Sequence, residues 1–347
     1  MEEDHDEARR LVGLVVNSAG SAQPLVIDNF RGAYAAFSNY SQQPVVYRGA
    51  VYRSKEHAFA AAKTLDPAER ARIAAVPTAA TAKALGRSVT LRPEWDERVR
   101  YEAMQEILAN DFDRRRDPRT AEAELLLSTG DALLIEGNTW HDEHWGRCSC
   151  TKHAANPGLN HLGRELMALR ARLRGDVDCW PRVAITGHRV MNPAEATWVT
   201  EELPRVLTKL TDAHGTATVI DGMAVGADTI AARAALTAGM ALWSYVPYPQ
   251  QADKFAPEDR TTWLELRAAA EREVVLSPTP GVAHLHNRNR LMMLDSSAMI
   301  AIYDPTRTSG GAVTTVARAH ADGWPIIKLD LSTHRVSLLA AQKRPWS

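Results

Sequence analysis

The sequence predicts two units in series: an α+β unit, mostly helical, then an α/β unit of Rossmann-like type with a parallel sheet. Three observations carry this. The chain has 347 residues, more than one hydrophobic core usually serves. Up to about residue 175, several stretches repeat apolar residues at helical spacing. Beyond it, short apolar runs alternate with helical stretches, the pattern of parallel strands covered by helices on both faces.

In chain order, residues 1–27 read as an acidic segment and lead-in. They open with MEEDHDEARR, polar where a signal peptide is apolar. Residues 28–175 hold the helical unit, with helices expected in YRSKEHAFAAAKTL (52–65), PAERARIAAV (67–76), RPEWDERVRYEAMQEILANDF (92–112) and NHLGRELMALRARL (160–173). Residues 176–181, within GDVDCWPR, interrupt the helical pattern and read as a linker. The second unit, 182–347, shows buried strands at RVAITG, TATVIDG, SAMIAIYD and WPIIKLDL.

Composition narrows the function classes. Hydrophobic residues make up 45% and charged residues 24%, ordinary for a globular protein in water. The net charge of −1 gives no global basic footprint for nucleic acid, and the densest basic run, RRRDPR up to Arg119, suits a solvated helix end. No apolar run approaches the ~20 residues of a membrane-spanning helix. Three cysteines make no disulfide framework. A cytoplasmic protein without a membrane partner is expected.

In doubly wound sheets, ligands bind where strands end and helices begin. Here ITGHR places Gly187 and Arg189 at a strand end, DGMAVGAD places Gly222, Gly226 and Asp228 at a second, and TSGG places Gly310 and Gly311 before a helix. Glycines let backbone N–H groups approach an anion, which the helix dipole favours. Arg288 and Asn289 add side chains. Neither a dinucleotide fingerprint nor a P-loop is present. ITGHR, GMAVGAD, RNRLM and SGG, in this order over 182–330, resemble the SLOG superfamily of DprA-like and LOG-like domains. That resemblance implies a nucleotide-derived ligand and self-association. LOG-type enzymes that cleave nucleoside monophosphates carry P-G-G-x-G-T-x-x-E. Here Val313 replaces the third glycine and Ala317 the catalytic glutamate, so a binding module is expected, and a phosphoribohydrolase in this half is disfavoured.

In the first unit, Ser54 suits a helix N-cap, without a capping box because His57 stands three residues on. Glu56 falls in the first turn, and Lys63 lies seven residues later on the same face, ~10 Å along the axis. That pair is also what an ordinary helix start and a snorkelling lysine look like. AAFSNYSQQP and RPEWDE add small polar and aromatic residues, and EGNTWHDEHWGRCSC (136–150) adds Asp142 and Trp145. Separated carboxylates between aromatic walls suit glycosidic cleavage through an oxocarbenium-like state. Lys63 as an amine nucleophile on an opened ribose is an alternative, requiring burial to keep the amine neutral.

FSNYSQQP, VYRSKEHAFAAAKTL, LGR, RPEWDE, LLIEGNTWHDEHWG and GLNHLGRELMALR, in this order over 28–173, resemble the NADAR family. The resemblance implies an N-glycosidase acting on ribosyl compounds, with Glu56, Lys63 and Asp142 catalytic. It implies that Trp95 and Trp145 line the site, with Phe37, Ser38, Asn39 and Asn160 shaping the pocket, and no metal or other cofactor. Implied substrates are ADP-ribosylated guanine in nucleic acid or nucleotides, another ADP-ribosyl compound, or a phosphoribosyl intermediate of riboflavin synthesis. A sensor of ADP-ribose without turnover, in a conflict or defence system, is a competing reading. Where relatives carry a short glycine- and lysine-rich loop, this chain has RCSCTKHAANPG. Its Cys148, Cys150 and His153 allow a zinc site, for which His141 and His144 would both have to turn inward. A loop of reduced cysteines is the reading preferred, since structural zinc sites usually use C-x₂₋₄-C pairs.

Overall fold

The computed structural model describes residues 14–16, 22–112, 119–156, 158–176 and 178–339. Most of RRRDPR lies outside them. Among the described residues, no helix is long and apolar enough to cross a membrane.

The first unit packs helices around a core that includes Phe37, Phe59, Met104, Ile107, Phe112 and Leu166. Helix α1 (Lys55–Ala62) forms where expected: Ser54 is extended and its side chain accepts from the His57 backbone N–H. The Ser54 hydroxyl also meets His57 Nδ1 at 2.7 Å, while His57 Nε2 lies 3.1 Å from the Val76 carbonyl. A carbonyl only accepts, so Nε2 carries the proton and Nδ1 accepts from Ser54. Helix α2 (Arg100–Asp111) follows a wide turn, Trp95–Val99. Lys55 and Asp111, both nearly fully buried, pair at 2.6 Å, and the Lys55 ammonium also donates to the Ala36 carbonyl. This buried pair locks α1, α2 and the 32–37 turn together. Helix α3 (His161–Arg174) closes the unit and ends at Gly175 in the left-handed conformation. Helices at Pro67–Ala75, Ala79–Leu85 and Ala121–Ser128 complete it; the last two are short and alanine- or leucine-rich, with little periodicity to announce them.

The second unit is one seven-stranded sheet: β1 (Arg182–Gly187), β2 (Thr218–Asp221), β3 (Ala241–Val246), β4 (Arg272–Val275), β5 (Ala298–Tyr303), β6 (Ile326–Asp330) and β7 (Arg335–Leu339). The order is β4-β3-β2-β1-β5-β6-β7. All neighbours are parallel except β6 and β7. Helix α4 (Pro193–His214) starts with a full capping box, the Asn192 side chain on Glu195 N and the Glu195 side chain on Asn192 N. Helices α5 (Ala227–Thr237), α6 (Val282–Asp295) and α7 (Gly311–Ala321) follow β2, β4 and β5. The chain winds one way from β1 through β4 and the other way from β5. The switch point therefore lies between the C-terminal ends of β1 and β5, with the glycine turn after β2 next to it.

The two units share a core. Leu133 and Ile135 pack with Ala184, Ile220, Trp243 and Tyr245. Polar ties surround it: Arg147 to Asp295, Asn287 to the Ala155 carbonyl at 2.8 Å, and Arg182 to the Asp131 carbonyl. Asp295 also accepts from the Tyr245 hydroxyl at 2.6 Å, which leaves little of this buried carboxylate unsatisfied.

Candidate active site

Glu56 stands in the first turn of α1 and is 7% exposed. Its backbone N–H donates to the Asn39 carbonyl at 2.9 Å, which draws the 38–40 segment onto the helix start. Burial raises the Glu56 carboxyl from its ordinary 4.5 to about 7. Lys83 and Lys63 oppose the rise, and the negative charge of Asp142 adds to it. Lys63 caps the other end of α1, its ammonium 6.0 Å from the Phe59 ring centroid. Desolvation lowers the Lys63 pKa, partly offset by Glu56. The two groups thus act on one another across the helix, as the seven-residue spacing predicts.

Phe59, on the same helix, joins the aromatic wall: its ring lies 5.2 Å from both Trp95 and Trp145, edge-on to Trp145. Behind Trp145 sit Tyr101, His144 and His161, with centroid separations of 4.6–6.1 Å. Burial depresses His144 to about 4 and His161 to about 3. Both imidazoles are therefore neutral near pH 7 and pack as rings.

Asp142 is held by its own turn. One carboxylate oxygen accepts from the backbone N–H groups of His144 (3.0 Å) and Trp145 (2.9 Å). The Asn138 amide grips the Asp142 backbone from both sides, at 2.8 and 3.1 Å. Asn160, fully buried in a left-handed conformation, donates to the Leu134 carbonyl and accepts from Glu136 N. It holds the end of the short strand Leu133–Leu134, which leads into Glu136. Gly163 is required beside it, because a Cβ there would fall 2.2 Å from the Leu134 carbonyl oxygen. Asn39 keeps a buried side-chain oxygen without a hydrogen-bond partner. The Ser38 hydroxyl accepts from Tyr40 N, and Phe37 belongs to the core, against Phe30, Tyr34 and Phe112.

Sequence reasoning missed Glu136. Burial, then the charge of Asp142, raises it to about 7, and its Oε2 is buried without a partner. It opens the EGNTWHDEHWG block, where a non-periodic segment hides which carboxylates turn inward. Lys83 was missed as well: it lowers both Glu56 and Glu136 and lies 5.6 Å from the Tyr40 ring. Arg87 acts on Glu56, and Arg31 on Glu136. A shared position among two or three distant carboxylates is not legible in one sequence.

Beside this site, the loop readings divide. His141, Cys148, Cys150 and His153 converge, their ligand atoms all within 4.8 Å of one another. His144 turns instead into the aromatic cluster.

In the second unit, the glycine turns have different roles. A Cβ on Gly222 would meet the Arg288 guanidinium at 2.0 Å, and one on Gly187 would meet Ala227 Cβ at 2.3 Å. Gly226, with φ +83°, lies against the carbonyls of His188 and Arg189. Arg288 is buried beside Asp221 and Asp228 and donates to the Gly222 carbonyl, so it fills the β2 turn from inside. Asn289 bonds Thr315 at 3.0 Å. Gly310 and Gly311 face open space at the start of α7, and Arg189 is exposed.

A family model of the NADAR domain matches residues 28–174. An N-glycosidase from Nostoc punctiforme is 38% identical over 146 residues, which span 41% of this chain and 86% of that protein. The chain belongs to the NADAR family. The likeness to a named N-glycosidase supports an N-glycosidase-type, hydrolytic function for this NADAR half. A solved structure of the Escherichia coli protein YbiA is 32% identical over 43% of this chain and 86% of that chain, with a TM-score of 0.37. The second half matches the family model of DNA recombination-mediator protein A over residues 169–343, the DprA-like, SLOG-type domain. A DNA processing protein A from Helicobacter pylori, whose structure concerns single-stranded DNA binding, is 24% identical over 43% of this chain and 65% of that chain, with a TM-score of 0.32.

Proposed function

We propose that the NADAR half hydrolyses the N-glycosidic bond between a base or amine and ribose, with an ADP-ribosyl substrate such as ADP-ribosylated guanine. The observation that carries this reading is Glu56: a carboxyl held near 7 by burial, beside Asp142, Lys63 and an aromatic wall. Near neutral pH such a carboxyl both gives and takes a proton. In the proposed reaction the C1′–N bond breaks and its electron pair goes to the base nitrogen, which takes the Glu56 proton. The carboxylate of Asp142 faces the cationic sugar carbon. Water then adds to C1′ and returns its proton to Glu56, which regenerates the acid. Phe59, Trp95 and Trp145 flank the departing base. The unpartnered oxygens of Asn39 and Glu136 suit ribose hydroxyls. Lys83, Arg87 and Arg31 supply the positive rim that a diphosphate or phosphate needs.

For the DprA-like half, the reading is a nucleotide-derived ligand at the switch point, centred on Gly310, Gly311 and Arg189. Gly187, Gly222, Gly226, Asp228 and Arg288 support that edge from beneath it, and Asn289 braces α7 through Thr315.

The test compares the wild type with Glu56→Gln on ADP-ribosylated guanosine, reading free base by mass spectrometry. Loss of ~10²-fold or more in turnover is expected, and unchanged turnover refutes the assignment. Borohydride added during turnover distinguishes the route through Lys63: a trapped ribosyl adduct on that lysine would replace direct water attack by an imine mechanism.

A further inference from the structure

The loop that carries Asp142 also carries four side chains with no part in the glycosidase chemistry. His141 precedes Asp142, Cys148 ends the short strand Arg147–Cys148, and Cys150 and His153 follow it. Their spacing, H-x₆-C-x-C-x₂-H, falls outside the common finger patterns, which is why the sequence favours a metal-free loop. The geometry reverses that preference.

Cys150 Sγ lies 3.5 Å from His141 Nδ1 and 3.4 Å from His153 Nδ1. Cys148 Sγ lies 3.9 Å from His141 Nδ1, and the two Nδ1 atoms are 3.2 Å apart. With zinc–sulfur bonds of ~2.3 Å and zinc–nitrogen bonds of ~2.0–2.1 Å, a tetrahedron has sulfur–nitrogen edges of ~3.6 Å and a nitrogen–nitrogen edge of ~3.3–3.4 Å. The observed separations are those edges to within a few tenths of an ångström.

Two further observations point the same way. His141 is a non-glycine residue at φ +69°, a left-handed conformation costing roughly 1 kcal/mol or more, and it is this residue whose ring joins the two sulfurs. His153 presents Nδ1 to the cluster, while its Nε2 lies 3.7 Å from a Glu143 carboxylate oxygen. Asn156 fixes that carboxylate by donating to its other oxygen at 2.7 Å. A carboxylate behind the distal nitrogen is the usual partner of a metal-bound histidine.

We propose that His141, Cys148, Cys150 and His153 bind one zinc ion in a closed, structural tetrahedral site. Two thiolates and two imidazoles make a soft N₂S₂ set that selects zinc over magnesium or calcium. Binding releases the two thiol protons and leaves a neutral centre. Four protein ligands leave no open position for substrate, so the ion acts on the fold. It ties the turn of Asp142 and Trp145 to the 148–153 segment. That segment runs on to Ala155, whose carbonyl accepts from Asn287 of the DprA-like half, so one ion braces both the catalytic turn and the junction of the two units.

The test measures metal by mass spectrometry on the full chain purified in reducing buffer with added zinc. One zinc per chain is expected, lost in the Cys148→Ser/Cys150→Ser double variant and kept in Cys179→Ser. Cobalt(II) exchanged into the wild type should give thiolate charge-transfer absorption and the intense visible bands of a tetrahedral centre. This spectrum decides the matter if the double variant does not fold. Less than about one-fifth of a zinc per chain, zinc that survives the double variant, or a cobalt spectrum without thiolate bands would each overturn the proposal. None of these readouts depends on glycosidase activity.

Discussion

Replacing Glu56 by glutamine should remove activity and stabilise the protein at the same time, and the second effect can be worked from the structure. The folded carboxyl has its pKa raised from 4.5 to about 7. Below pH 4.5 it is protonated in both folded and unfolded chains and contributes no pH dependence. As pH rises from there towards 7, the unfolded chain ionises while the folded one resists, so stability falls. Above about 7 the full penalty is present, about 3 kcal/mol. Glutamine keeps the shape and cannot ionise. Glu56→Gln should therefore match the wild type near pH 4.5 and exceed it by about 3 kcal/mol at pH 8, with most of the gain accumulating between. Urea unfolding followed by tryptophan fluorescence at several pH values measures this directly. A variant equally stabilised at every pH, or destabilised at pH 8, would show that Glu56 is not held protonated by burial.

Wild-type activity should fall as pH rises through about 7, because the proposed acid loses its proton. Asp142→Asn should slow turnover by roughly 10²-fold and move that falling limb of kcat/KM to lower pH, since the charge that raises Glu56 is gone; an unmoved limb contradicts the coupling. Gly222→Ala would place a methyl group 2.0 Å from the buried Arg288 guanidinium, and should cost about 1–3 kcal/mol of stability in denaturant unfolding while base release by the folded protein is unchanged. Arg147→Ala leaves Asp295, 1% exposed at its side chain, with the Tyr245 hydroxyl and the more distant charge of Arg182 but without its ion-pair partner. A loss of about 3 kcal/mol is expected in the same assay, and a loss under about 1 kcal/mol would mean that the pair does not brace the junction.

The large features were legible because they rest on local chemistry. RVAITG became β1 residue for residue, since a run buried on both faces reads as continuously apolar. The Ser54 cap and the Glu56–Lys63 spacing followed from helix geometry alone. What stayed hidden depends on contacts distant in sequence. β3 carries Trp243, Ser244 and Tyr245 in mid-strand, and its apolar character is broken by residues whose polar atoms find partners only in the folded sheet. β7 is an exposed antiparallel edge, with no buried face to impose a pattern. Glycines at strand ends read as ligand turns, yet Gly222 is needed to seat Arg288 from sixty-odd residues away. The metal-like loop reads as cysteine variation until His141, forced to positive φ, turns its ring onto the sulfurs.

Cleavage of ribosyl N-glycosidic bonds with water through Glu56 is the function proposed for this NADAR domain. It is tested most directly by incubating the full chain with a panel of ADP-ribosyl and phosphoribosyl N-glycosides in ¹⁸O-water and analysing both products by mass spectrometry. Free base without label and a ribosyl product carrying one ¹⁸O at C1′ are expected, both reduced ~10²-fold or more in Glu56→Gln. No base release from any panel member by the wild type, or equal release by the variant, would contradict the proposal.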